Sequence, residues 1–384
     1  MDKYLREEES GVTERSGTAW GKSHDVIVHQ SEPFNAESSL AVLVQQPVTS
    51  TEDFYVRNHG PVPELDPRLW RLSVDGMVDR PLELSLEDLQ NRFEHHEVVA
   101  TLQCAGNRRS GLAKVHDIPG HPWGPGATST ATWTGARLTD VLAAAGAQNS
   151  AQHVAFEAPD VAPEATPPQR FGASIPIAKA IGDEVLLAWG MNGRPLPAVH
   201  GAPVRAIVPG FIGARSVKWI DRVSVQADPS QNFFQSIAYR LLPPGIDPYS
   251  APPGEGLALG PLTVNSAILT PDDGAVVPAG RTAVTGYALS GDDRGIARVD
   301  VSVDGGRSWL QAELDEPPSP WAWTPWRITL ELPPGDVEIT ARAWDTSAAV
   351  QPEHEAHLWN PKGYFNNAWS RIHLTATDLQ GTGA

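Results

Sequence analysis

The run Glu97-Val-Val-Ala-Thr-Leu-Gln-Cys-Ala-Gly-Asn-Arg-Arg109 decides how the rest of the chain is read. Its opening, Glu97 to Leu102, is apolar and β-branched enough to predict a strand. That strand runs into a loop holding the chain's single cysteine, a glycine and two arginines. One cysteine cannot form a disulfide within the chain. By residue type alone, Cys104 is a small buried hydrophobe. The neighbouring cations widen its options, because positive charge favours the thiolate. A thiolate can attack an electrophile with one of the 12 histidines as its base, or it can bind a soft metal. A metal held by this cysteine alone needs its other ligands from a cofactor.

Outward from that loop, Leu72-Ser-Val-Asp-Gly76 and Leu82-Glu-Leu84 alternate as strands do. Ser85 reads as the cap of a short helix ending near Phe93. Gly135 to Ala145 predicts a second helix, with Leu138, Val141, Leu142 and Ala145 on one face. Strands are expected over Ala202 to Gly210 and Val217 to Val225. The Pro/Gly-rich run from Leu241 to Leu262 is the candidate boundary. Beyond it Val299, Val301 and Val303 alternate with polar residues before the turn Asp304-Gly305-Gly306. Val337, Ile339 and Ala341 repeat the pattern, as expected of an immunoglobulin-like sandwich. The expected organisation is α+β: an extended segment over 1–50, a mixed catalytic domain over 51–240, a linker over 241–262 and a β-sandwich over 263–384.

Hydrophobic residues make up 41% of 384 and charged residues 20%, enough to bury a sizeable core without staples. The net charge is −17 and no long basic run occurs. That disfavours nucleic acid and an anionic membrane surface as partners. An anionic substrate would need local cations to overcome the overall field. The N-terminal residues lack an apolar stretch of the signal-peptide kind, so a cytoplasmic location is expected. The 13 tryptophans imply packed walls around sites or interfaces. Among them, Trp321-Ala-Trp-Thr-Pro-Trp326 reads as packing a sandwich or dimer face.

Seven stretches, taken in order, resemble one family. Phe54-Tyr-Val-Arg-Asn-His-Gly-Pro-Val-Pro63 and Thr101-Leu-Gln-Cys-Ala-Gly-Asn-Arg-Arg-Ser110 lead. Gly172-Ala-Ser-Ile-Pro176, Met191-Asn-Gly-Arg-Pro-Leu-Pro197, His200-Gly-Ala-Pro-Val-Arg205 and Val208 to Trp219 come next. Trp359-Asn-Pro-Lys-Gly-Tyr-Phe-Asn-Asn-Ala-Trp369 closes the series. Together they resemble the sulfite oxidase family of molybdenum enzymes, in its haem-free plant and bacterial form.

The resemblance implies molybdenum held by one pterin dithiolene and by Cys104 as the protein's only metal ligand. Soft sulfur donors suit such a metal. It places the cofactor against Arg57, Asn58, His59, Asp160, His200, Arg205, Ser216, Val217 and Lys218. It assigns the oxyanion pocket to Arg57, Arg109, Trp123 and Tyr239, with Lys362 of the second domain as third cation. Lysine there is a point charge where the animal enzymes carry a planar arginine fork. The activity implied is oxidation of sulfite to sulfate, with electrons passed to an external acceptor, oxygen or a cytochrome. No haem is expected in the chain, and the second domain implies a homodimer. Reduction of nitrate or a sulfoxide on the same scaffold is the alternative enzyme reading. A metal-free binding or adhesion protein is the alternative of another class.

Overall fold

The computed structural model describes residues 19–378. The first part of the segment expected to be extended lies outside them. Within the rest of it, Ile27–Ser31 and Phe34–Glu37 pair as a hairpin, and Leu40–Leu43 forms a helical turn. Phe34, Ala36 and Leu43 are buried, so this segment packs onto the body of the protein.

Two five-stranded sheets make the first half. One orders Leu82–Leu84, Leu72–Gly76, Arg222–Gln226, His153–Ala162 and Gln169–Pro176. Its single parallel pairing sets Val223 beside Val74, and Phe156 lies opposite on the other flank. Leu72, Val74, Val223 and Phe156 are fully buried, whereas Ser73 and Asp75 are only partly covered. Each such apolar side chain contributes roughly 1.5–3 kcal/mol relative to exposure. The other sheet orders Arg194–Pro195, Leu186–Met191, Thr128–Arg137 and His96–Gln103, with Arg205–Ile207 also paired to Leu186–Met191.

The capped helix forms as expected over Leu86–Arg92. The Asp88 amide donates to Ser85 Oγ at 3.0 Å, and the Ser85 amide donates back to Asp88 Oδ2 at 2.9 Å. Such a cap contributes about 1 kcal/mol. The second helix starts later than its pattern predicts, at Leu138, and ends where Gly146 turns left-handed at φ 72°. Residues up to Arg137 are claimed instead by a ten-residue strand. A bulge there needs Gly135, whose absent Cβ would lie 2.3 Å from the Leu187 carbonyl.

Two expected strands are shorter than their apolar patterns. Of Ala202 to Gly210 only Arg205–Ile207 pairs, and of Val217 to Val225 only Arg222–Gln226 joins the sheet. Trp219 breaks the second run with a left-handed φ of 54°. The break frees Val217 and Lys218 to line a cleft.

Beyond Leu262 the chain is a two-sheet sandwich. One sheet holds Asn265–Thr270, Gly280–Leu289, Thr324–Leu332 and Glu313–Leu314. The other holds Val276–Pro278, Ser370–Thr377, Gly335–Asp345, Ile296–Ser302 and Leu310–Gln311. Val299, Val301, Val337, Ile339, Ala341 and Trp326 share its core. Asp300 departs from the exposure expected of the polar face. It is fully buried and accepts from Arg342 Nε at 3.2 Å and Trp344 Nε1 at 3.3 Å. Trp323 and Trp326 are packed inside, and Trp323 stacks on Tyr287 at 5.0 Å. Among the described residues, no helix is long and apolar enough to cross a membrane.

The sandwich reaches back to the cysteine loop. Arg108 is buried and donates to Asn265 Oδ1 at 2.9 Å and the Ala368 carbonyl at 2.8 Å. In return the Phe365 amide donates to the Ala105 carbonyl at 2.9 Å.

Candidate active site

The strand carrying the cysteine ends at Gln103, and the loop beyond it is held from both sides. The Cys104 amide donates to the Ala127 carbonyl at 2.9 Å, and its carbonyl accepts from the Asn107 amide at 3.0 Å. The thiol accepts from the Gly106 amide, with nitrogen and sulfur 3.4 Å apart. Cys104 opens on a cleft between the segments around Arg57, His200 and Lys218. Arg57, Asn58, His59, Asp160, His200, Arg205, Ser216, Val217, Lys218 and Tyr239 line the same cleft. Every residue assigned to the cofactor from the sequence therefore meets there, from segments some 160 positions apart (Lys218 donates to Asn58 Oδ1, for instance).

The far end of the cleft is a desolvated cationic cluster. Arg205 donates to the carbonyls of His200 and Ser216, each at 2.9 Å. Burial brings its guanidinium down to about 10. Burial, with Arg205 adding repulsion, drives Lys218 well below the ordinary lysine value. His200 is likewise driven well below its usual value by burial and then by Lys22. Against Arg205 and Lys218 stands Asp160, raised to about 6 by burial, with Oδ1 buried and without a hydrogen-bond partner among the described residues. Buried charges persist when they are compensated, and one carboxylate is too little compensation here. The cluster is built for a bound anion with donors and acceptors of its own.

The near end holds the groups expected to face a substrate. Arg57 lies 3.7 Å from the Glu164 carboxylate, which also contacts His59. The Tyr239 hydroxyl is 2.7 Å from His59 Nε2. Burial, then Arg57, lowers His59 to about 4, so its ring is neutral. Nδ1 meets both the Glu164 carboxylate and Arg57 Nη2, the latter at 3.0 Å, while Nε2 shares a hydrogen bond with the Tyr239 hydroxyl. Burial raises the Tyr239 hydroxyl well above its ordinary value, which keeps it protonated. Arg109 and Lys362 do not line the cleft itself. Arg109 Nε donates to the Gly363 carbonyl at 3.3 Å, and Lys362 Nζ lies 3.5 Å from the Ile237 carbonyl. Trp123, expected as a wall of the pocket, is fully buried behind the cysteine loop against His29 and His121. Its indole nitrogen has no hydrogen-bond partner among the described residues.

Lys22 and Glu164 near the cleft carry no mark in the sequence, and Tyr364 stands unassigned within the Trp359–Trp369 stretch. Lys22 donates to the Thr51 and Phe54 carbonyls at 2.7 Å and lies 2.8 Å from His200 Nε2. Glu164 and Tyr364 join the substrate end, the latter stacked on Tyr239. Lys22 sits between glycine and serine, and Glu164 in a proline-flanked loop, so neither has a local pattern to set it apart.

Among the described residues, no group of three or more histidine, cysteine or acidic side chains is placed to hold a metal. A metal on Cys104 must bring its other ligands with it. Residues 59–234 match the oxidoreductase molybdopterin-binding domain, and residues 258–377 match the Mo-co oxidoreductase dimerisation domain. The sulfite oxidase of Arabidopsis thaliana is 38% identical over 368 residues, covering 90% of this chain and 93% of that protein.

The chain belongs to the sulfite oxidase family of molybdenum-cofactor oxidoreductases.

Mitochondrial sulfite oxidase of Mus musculus is 45% identical over 90% of this chain, which spans 65% of that protein's length. The sulfane dehydrogenase SoxCD of Paracoccus pantotrophus matches in structure with a TM-score of 0.76 at 26% identity, over 89% of this chain and 85% of that one. The family's cofactor fits what the cleft offers. Its phosphate suits the Arg205–Lys218 end, its pterin amide edge suits the unpartnered Asp160 oxygen, and its metal suits the thiol of Cys104.

Proposed function

We propose that this family member oxidises sulfite to sulfate, using Cys104 as the one protein ligand to molybdenum. The net reaction takes up one water and releases two protons and two electrons per sulfite. When bound, the molybdenum–pterin group supplies the two-electron redox couple and the site of oxygen exchange. Arg205, Lys218, His200, Asp160, Ser216, Val217, Asn58 and His59 would hold it along the cleft.

The chain's own residues bind and orient the substrate. Sulfite carries two negative charges near neutral pH in a molecule of net charge −17, so it needs a local counter-field. Arg57 in the cleft, with Arg109 and Lys362 close behind it from two domains, would provide that field. They engage the three oxygens and leave the sulfur lone pair facing Cys104's side of the cleft. Tyr239, held protonated, donates a hydrogen bond toward the reacting oxygen. His59, neutral, keeps that phenol aimed. Trp123 backs the cysteine loop. Electrons leave for an external acceptor, oxygen or a cytochrome. The working unit is a cytoplasmic homodimer joined through the matched dimerisation domain.

The observation that carries this reading is the meeting of one thiol with a desolvated cationic cluster and an unpartnered carboxylate in a single cleft. A nitrate reductase of Hordeum vulgare is 36% identical over 94% of this chain, which makes nitrate the contrast substrate. Purified protein with measured molybdenum content should reduce ferricyanide when given sulfite and should not oxidise a reduced viologen when given nitrate. The reverse pattern would reassign the activity.

A further inference from the structure

The loop Lys362-Gly363-Tyr364 wraps the side chain of Arg109. The Gly363 carbonyl accepts from Arg109 Nε at 3.3 Å, and the His121 carbonyl accepts from Nη1 at 3.3 Å. Gly363 can approach this closely only because it lacks a Cβ, which would lie 2.7 Å from Arg109 Cγ. The guanidinium carbon sits 5.5 Å from the centre of the Tyr364 ring. That ring also stacks on Tyr239, with centroids 5.4 Å apart and planes 24° from parallel. Tyr364 itself is pinned at the backbone. Its amide donates to Asn360 Oδ1 at 3.1 Å, and its carbonyl accepts from Asn360 Nδ2 at 2.8 Å. Asn360 is buried.

One aromatic ring from the second half therefore meets both a cation and a phenol that belong to the first half. The two carbonyl bonds to Arg109 are long, 3.3 Å each, and hold its plane only loosely. A ring beneath the guanidinium fixes the tilt, because the cation favours the negative face of the ring.

We propose that Tyr364 is a positioning residue: its ring is the platform that aims Arg109 and Tyr239 together at the substrate anion. This rests on the sulfite reading of the cleft. The ring face carries the role, and the hydroxyl does not. Aiming affects an anion already in its ground state, so it is read mainly in KM and in the affinity for a non-reacting anion.

The test uses the cofactor-loaded full chain. Tyr364→Phe keeps the platform, and Tyr364→Leu removes it at similar bulk. Sulfite kinetics give KM and kcat, and titration calorimetry with inorganic sulfate gives an anion affinity that needs no turnover. Tyr364→Phe is expected to stay within about twofold of the parent in KM and in sulfate affinity. Tyr364→Leu is expected to raise KM about tenfold and weaken sulfate similarly, with kcat moved much less. In an Arg109→Gln background, Tyr364→Leu should add little, since the group it aims is gone. If Tyr364→Leu does not fold, Tyr364→Met in the same cycle serves in its place. A leucine variant that keeps the parent KM and sulfate affinity overturns the proposal. So does a phenylalanine variant as impaired as the leucine one, or a parent that binds no sulfate. A loaded parent that binds sulfate yet leaves sulfite unoxidised breaks the functional reading instead, and the sulfate titrations still decide the role of Tyr364.

Discussion

At one end of the cleft, Arg205 and His200 are sealed from water, and Lys218, part-buried, donates to the Val199 carbonyl. At the other, Arg57 keeps about a fifth of its side chain exposed and Lys362 is half-buried, with one weak contact to a carbonyl. The first arrangement suits a ligand that binds once and stays. The second suits one that enters and leaves in each turnover, because partly solvated cations need less reorganisation to exchange an anion for water. Cys104 lines the cleft that they share.

Removing that shared atom is the largest expected effect. Cys104→Ser should drop sulfite-dependent ferricyanide reduction to background. The backbone bonds of the loop survive the change, so circular dichroism and melting should stay near those of the parent. A serine variant with bound molybdenum and parental turnover would remove the thiol from the chemistry.

Next in size is a substitution confined to the sealed end. Lys218→Met should lower the pterin recovered per chain, measured by fluorescence after oxidative release, well below the parent. The same change should leave the cofactor-free protein as stable as before or more so, because a buried cation is removed. Opposite signs for retention and stability are the mark of a group kept for its ligand. Parental pterin content in the variant would make the two ends of the cleft alike.

The sealed end also has a pH signature of a few kcal/mol. Asp160 is raised from 3.8 to about 6 by burial. In the cofactor-free protein the folded state thus holds this proton more tightly than the unfolded one. The resulting stabilisation is complete below about pH 4 and is lost as pH rises through about 6, a change on the order of 2–3 kcal/mol. Urea midpoints across that window should fall for the parent and stay nearly level for Asp160→Asn. Equal slopes would mean that water reaches the carboxylate.

Legibility in the sequence divides along the same line. Cys104, Arg57, Arg205 and Lys218 stand in stretches where residue type and order carry the information, and they converge on one cleft. The capped helix at Ser85 and the valine alternation of the sandwich are equally plain, since both rest on contacts between near neighbours. The apolar run from Val217 misleads in length. Its pattern predicts a strand because nothing local shows that Trp219 turns left-handed to aim Lys218 inward. Alternation predicts an exposed Asp300 because the groups that cover it, Arg342 and Trp344, lie on another strand. Lys22, Glu164 and Tyr364 matter only through contacts at long sequence separation, which no spacing rule encodes.

Glu164 offers the smallest effect and the finest test of the open end. Burial would raise its pKa, but its bond to His59 and the charges of His59 and Arg57 outweigh that and hold it near 2. The group is therefore an anion at every working pH, seated beside the cations expected to greet the substrate. An internal carboxylate there competes with sulfite for Arg57, and the contest is a modest one because its own side chain is about half exposed. Glu164→Gln should lower KM for sulfite about threefold with kcat little changed, the scale of a partly exposed ion pair. The gain should be flat from pH 6 to 8, about four units above the carboxyl's titration, and it should shrink as salt screens the pair. A KM that rises instead would mean that Glu164 holds Arg57 in its working pose, and the open end would then be as fixed as the sealed one.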